Sequence, residues 1–244
     1  MKKLLLSAAI TSFASLPLSA DMLGIYVGTG NWKPEASGNI SNASNDEMVF
    51  GSSGVDIRDK NQTGFYLAFE HPIPIIPNAM ITEQDLKSSG SGPFTGNFGG
   101  ETFVGNVDTE FDMSHRDYTL YYEILDNWVN LDLGLTARQF DGYVFVSDGV
   151  NSTNEKFDET LPMLYGKARF DLPLTGLSVS AILNHISQGG NSVTDTSLFV
   201  GYETSIGLGI EGGIRTFSLE VDDEDDFTAD LEFDGMFINA TYHF

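Results

Sequence analysis

Nine ionisable side chains recur on alternating positions of otherwise apolar stretches: Glu70, Glu123, Asp132, Glu203 and Glu211 against Arg138, Lys167, Arg169 and Arg215. Charges so nearly matched suit two kinds of chemistry. They can neutralise one another in an enclosed space, where an unpaired charge is costly, or line a narrow path for small polar solutes. His185 and Ser187 lie two apart and so share one face of an extended segment, where imidazole can activate a hydroxyl for acyl chemistry. That arrangement needs an acid to orient the His, and Asp195 and Glu203 are the candidates in sequence. A third group is Asp112, His115 and Asp117. A fourth, Asp222, Asp223, Glu224, Asp225 and Asp226, gathers carboxylates fit for hard cations such as Ca²⁺. It lacks the glycine and alternating ligands of a calcium loop, which favours a solvated loop.

Composition removes whole classes. Twelve Lys and Arg against 35 Asp and Glu give a net charge of -23, so nucleic acid is not a partner. With no cysteine there is no disulfide scaffold, thiolate zinc site or thiol nucleophile, and of the four histidines, His71 and His243 fall at the opposite end of their predicted strands from His185, which argues against a His-rich metal centre. The sequence calls for no cofactor. Hydrophobic residues at 41% and 18 Phe exclude an acidic disordered tail.

The elements that must position these groups begin after an address. Lys2 and Lys3, the apolar Leu4 to Leu18, and Leu18-Ser19-Ala20 read as an export signal cleaved after residue 20, leaving 21–244 as one domain. No later run is apolar enough for a spanning helix, so an exported chain is either soluble or a membrane barrel.

Period two separates these options. Tyr118, Leu120, Tyr122 and Ile124 form one face against Thr119, Tyr121 and Glu123. Val129, Leu131, Leu133, Leu135 and Ala137 oppose Asn130, Asp132, Thr136 and Arg138, and Leu164, Ala168, Phe170 and Leu172 oppose Lys167, Arg169 and Asp171. Alternation of this kind, with glycines such as Gly209 to Gly213 on the polar side, predicts an all-β, antiparallel, up-and-down transmembrane barrel with the apolar face in lipid.

The chain ends with Met236, Ile238, Ala240, Tyr242 and Phe244 on one face. This resembles the C-terminal signature of bacterial outer-membrane barrels, and the resemblance implies recognition by the barrel assembly machinery through Phe244 and Tyr242. The stretches EHPIPIIPN (70–78), DYTLYYEILDNWVNLDLGLTAR (117–138), LPMLYGKARFDLPLTGLSVS (161–180), GGNS (189–192) and the ending YHF resemble a family of small Gram-negative outer-membrane β-barrel proteins. Location and fold are all that this family implies, since no substrate or catalytic residue comes with it. His185-x-Ser187 also faintly resembles the His-x-Ser of outer-membrane lipid A deacylases, whereas Asp112, His115 and Asp117 do not match the omptin proteases residue by residue.

Turn chemistry predicts ten strands, at about 22–33, 62–71, 78–88, 111–125, 128–146, 156–172, 176–187, 192–204, 207–221 and 228–244. Eight is the competing count, because Glu83 interrupts the lipid-type face of 78–88, and 192–204 is the other span open to question. Short turns belong to the periplasm and the longer loops, near 34–61, 89–110, 147–155, 188–191 and 222–227, to the outside. Tyr118, Trp128, Tyr202, Tyr242 and Phe244 fall at the interfacial girdles. The expected protein is a monomer among outer-membrane lipids and lipopolysaccharide, with a polar interior. Its role is structural or that of a narrow, porin-like channel without catalysis; the alternative is a lipid-modifying enzyme using Ser187 and His185.

Overall fold

The computed structural model describes residues 23–42, 46–52, 54–224 and 227–244, so the predicted leader lies outside the described residues. Sixteen strands appear: β1 (Gly24–Asn42), β2 (Glu47–Phe50), β3 (Asp56–Ile57), β4 (Gln62–Glu70), β5 (Asn78–Gln84), β6 (Lys87–Pro93), β7 (Gly96–Phe98), β8 (Glu101–Phe103), β9 (Asn106–Asp112), β10 (His115–Leu125), β11 (Val129–Ser147), β12 (Ser152–Leu172), β13 (Leu177–Gln188), β14 (Asn191–Glu203), β15 (Leu208–Glu224) and β16 (Phe227–His243). Ten of them, β1, β4, β5 and β10 to β16, pair antiparallel with their neighbours around a closed barrel, sealed by β1 against β16 and by β10 against β11. Both spans that the eight-strand count would omit are present, as β5 and β14.

Following the register around the barrel from Ile25 returns to β1 at Ser37, twelve residues further on. A stagger of that size on ten strands tilts them by about 40°. The outward face is apolar where sequence period two placed it: Leu67, Leu120, Leu135, Leu164, Val179, Leu198, Ile214 and Ile238 are all exposed. About nine residues of each strand contribute to this band, which at that tilt is roughly 23 Å tall, the height of a bilayer's hydrocarbon core. Trp128, Tyr202, Tyr242 and Phe244 ring the end that carries the start of β1 and the short turns, and Tyr118 stands at the opposite edge.

Glu83 keeps the outward parity of β5. Its carboxylate meets Arg116 of β10 at 2.6 Å, so the charge that broke the apolar face is half of an ion pair at the edge of the band. Beyond that edge the sheet continues. The regions read as loops 34–61 and 89–110 carry much of it, since β1 runs on to Asn42, β6 and β9 pair in the same register as β5 and β10, and β9 adds to the end of β11.

Inside that extension the interior is not polar. Phe217, Phe103, Ile40, Met48, Val55, Val107 and Val146 are buried with Phe111, Phe140 and Phe233 in one apolar core. The reason is geometric. Above the membrane the outer face is wet, so the strands place charges outward and apolar groups inward, as a soluble sheet does, and the alternation inverts its meaning midway along each long strand.

Candidate functional site

The lumen has three tiers, and register decides which side chains meet in each. In the middle, β10 and β11 set Asp117 opposite Arg138, and β14 and β15 set Asp195 one strand from Arg215. Arg138 donates from Nε to Asp117 Oδ1 at 2.8 Å and from Nη2 to Asp117 Oδ2 at 2.7 Å. Its Nη2 also reaches Asp195 Oδ2 at 2.7 Å. Arg215 holds Asp195 from the other side, Nε to Oδ1 at 2.9 Å and Nη2 to Oδ2 at 2.7 Å, and donates from Nη1 to Gln84 Oε1 at 2.6 Å. Its guanidinium lies 4.7 Å from the centre of the Trp32 ring. His115 donates from Nδ1 to the Met113 carbonyl at 3.1 Å, which leaves Nε2 to accept from Arg215 Nη2 at 3.5 Å. Two guanidinium groups and two carboxylates thus form a neutral belt across the bore in which every charge is paired, while Arg138 Nη1 stays buried without a hydrogen-bond partner among the described residues.

Below the belt, toward the termini, a cavity of about 800 Å³ opens between the short turns. Glu70, Glu123, Asp132, Glu203 and Glu211 line it with Lys167 and Arg169, so charges nearly balanced along the chain separate in space: the belt is neutral and the cavity is acidic. Hydrogen bonds hold the carboxylates in place. Tyr121 donates to Glu70 at 2.7 Å, Asn78 to Glu123 at 3.1 Å and Asn239 to Glu211 at 3.3 Å, while Lys167 stands 3.8 Å from Asp132. At the mouth His243 lies 3.6 Å from Glu203 and stacks on Tyr26 at 4.1 Å between ring centres.

Above the belt the apolar core closes the bore. Phe217 lies 5.8 Å from His115 and 5.7 Å from the Arg138 guanidinium, and packs on Phe233 at 6.0 Å and Phe140 at 6.4 Å.

All nine ionisable residues picked out from sequence face the lumen. Asp117, grouped in sequence with Asp112 and His115, and Asp195, considered only as a partner for His185, belong to the belt as well. Parity held the signal: Asp117 shares the face of Glu123, and Asp195 that of Glu203. The sequence group of Asp112, His115 and Asp117 divides, because Asp112 is on the outward face and pairs with Lys87. His185 and Ser187 do face outward. The His185 ring bonds Thr194 Oγ1 at 2.9 Å, and Asp195 is on the opposite face of the sheet, so no carboxylate meets His185 among the described residues. Asp225 and Asp226 of the acidic run lie outside the described residues, and no group of three metal-binding side chains occurs among those described.

No family model matches the chain, and no curated protein matches its sequence. Among solved structures it is similar to Ail, the attachment invasion locus protein of Yersinia pestis, in complex with the heparin analogue sucrose octasulfate, at 13% identity and TM-score 0.37 over 91% of this chain and 99% of that one. It is also similar to the translocator domain of autotransporter NalP from Neisseria meningitidis, at 11% identity and TM-score 0.45 over 94% and 91% of the two chains. Neisserial surface protein A is similar at 7% identity and TM-score 0.34, over 88% and 95%. At these identities and scores the likeness assigns no activity to this chain.

Proposed function

We propose that the chain is an integral outer-membrane barrel protein with a structural, non-conducting role. A closed cylinder with an apolar band of bilayer height, an export-type leader in the sequence and a C-terminal aromatic strand support the location. The start of β1, Phe244 and the short turns face the periplasm in this reading, and the extended sheet stands outside the cell.

One observation carries the absence of a pore: the bore is crossed by the neutral belt of Asp117, Arg138, Asp195 and Arg215, and above it by the core around Phe217. An ion entering the acidic cavity from the periplasm meets fixed, mutually paired charges and then an apolar wall. Purified protein in planar bilayers is expected to give no stepwise conductance. Steady open-pore currents from wild type would overturn the reading. Gel mobility with and without boiling checks the barrel itself, since an intact one resists detergent and migrates anomalously.

A further inference from the structure

Apart from Lys2 and Lys3, the cations of this acidic chain divide by position. Arg138, Lys167, Arg169 and Arg215 point into the lumen. Of the six that face outward, Lys33, Arg58, Lys60, Lys87 and Arg116 share one flank, on β1, the link from β3 to β4, β6 and β10, and only Lys156 lies elsewhere. Around the rest of the rim the outward charges are mostly carboxylates, among them Asp158 on β12 and Glu232 and Asp234 on β16, which adjoins β1, and Glu35, Asp108 and Glu110 stand on the cationic flank itself.

Depth is as telling as side. Arg116 adjoins Tyr118 at the top of the lipid-facing band, and register places Lys87 four residues beyond Glu83, the partner of Arg116. Four residues at a 40° tilt rise about 10 Å, so the cations climb from the acyl boundary through the headgroup layer. Higher still, Arg58 N–H bonds the Ser89 carbonyl at 3.1 Å, and Lys60 Nζ lies 3.3 Å from Ser89 Oγ. Arg116, Lys33 and Lys87 each hold a carboxylate, Glu83, Asp59 and Asp112 respectively. The Arg58 guanidinium and the Lys60 ammonium meet none among the described residues.

We propose that this flank binds a phosphate-bearing lipid headgroup of the outer leaflet, with Arg58 and Lys60 as the phosphate ligands beside Ser89 and with Arg116 at the acyl boundary. Guanidinium and ammonium groups with a neighbouring hydroxyl are apt donors to a phosphate. A lipid reaches them because the patch is continuous with the lipid-facing surface. Asp56 and Asp85 stand among the cations, so the flank rejects a diffuse anion and selects one whose charges are spaced to fit. The ladder of depths fits a headgroup with more than one phosphate.

The inference rests on the outer-membrane reading, with the extended sheet outside. Protein in nanodiscs is tested by native mass spectrometry for retention of bis-phosphorylated lipid A, of its dephosphorylated form, and for competition by inorganic phosphate. Wild type is expected to retain the bis-phosphorylated lipid, the Arg58→Ala/Lys60→Ala variant to retain it at least tenfold less, and Lys156→Ala to match wild type. Equal retention by wild type and the double variant overturns the proposal, as does full displacement by inorganic phosphate, which would mark a free-anion site. Because the chain lacks cysteine, Lys156→Cys labelled on whole cells by an impermeant maleimide reports orientation independently. Labelling without lipid retention sinks this inference alone, and no labelling sinks the orientation it rests on.

Discussion

Arg138 and Asp117 face each other across β10 and β11 as a two-point ion pair, with contacts of 2.8 and 2.7 Å and both side chains all but removed from solvent. Removing one member of such a pair strands the other. Arg138→Met is therefore expected to destabilise the barrel by about 3–5 kcal/mol, since Asp117 and Asp195 are left buried with less compensation. Replacing both members, Arg138→Met with Asp117→Leu, is expected to recover most of that loss, because Asp195 retains Arg215. Urea midpoints in detergent micelles measure both. The double variant is also expected to remain silent in bilayers, since the Phe217 core is a second barrier in series.

How much of this was legible in the sequence follows from what period two encodes. Facing along a single strand is local, so the lipid-facing band and the lumen charges could be read without any partner. Register is not local: nothing near Arg138 names Asp195, which is brought to it from β14 across the bore. The apolar core was hidden for a different reason. Phe111 and Phe233 occupy the parity that carries polar groups lower down, and the Ser- and Gly-rich β6 gives little hydrophobic signal because its neighbours supply the burial.

Acid should weaken the extended sheet through Asp112 and Lys87, which meet at 3.0 Å. Burial alone would raise the Asp112 carboxyl, but hydrogen bonds from Ser114 and Lys87 outweigh it and hold the group below its ordinary 3.8. The hydrogen bond to Asp112 pushes Lys87 above its ordinary 10.5. A lowered carboxyl contributes stability above pH 3.8 that is lost as pH falls through the folded value. The raised ammonium contributes below pH 10.5 and loses it only as pH rises through its own folded value. The melting-temperature difference between wild type and Asp112→Asn is therefore expected at pH 7 and should shrink progressively as pH falls below 3.8. A difference that stays constant as the pH is lowered below 3.8 until the carboxyl is protonated contradicts the ion pair as its cause.

Gly28 and Tyr66 are cross-strand neighbours in which the ring covers the glycine: a Cβ added at Gly28 would collide with Tyr66 Cε1. Gly28→Ala must push that ring into the acidic cavity, at a cost of about 1–3 kcal/mol. In a Tyr66→Ala background the same change meets no ring and should be nearly neutral, so a double-mutant cycle is expected to show strong coupling. Additive costs would mean that the backbone, not the ring, resists the methyl.

Phe244 closes the seam between the first and last strands. Its N–H bonds the Ile25 carbonyl at 2.9 Å, its ring packs edge-on against Tyr242 at 4.5 Å, and it remains exposed on the lipid side. Only one backbone hydrogen bond and one aromatic contact are lost if it is removed, worth roughly 1–2 kcal/mol together, which a finished barrel would tolerate. Deleting Phe244 is expected to leave detergent-refolded protein near wild-type stability while sharply lowering the folded fraction made in cells, read by gel mobility without boiling. Equal losses in both settings would show that the residue acts through the seam, and wild-type yield in cells would remove its role in assembly.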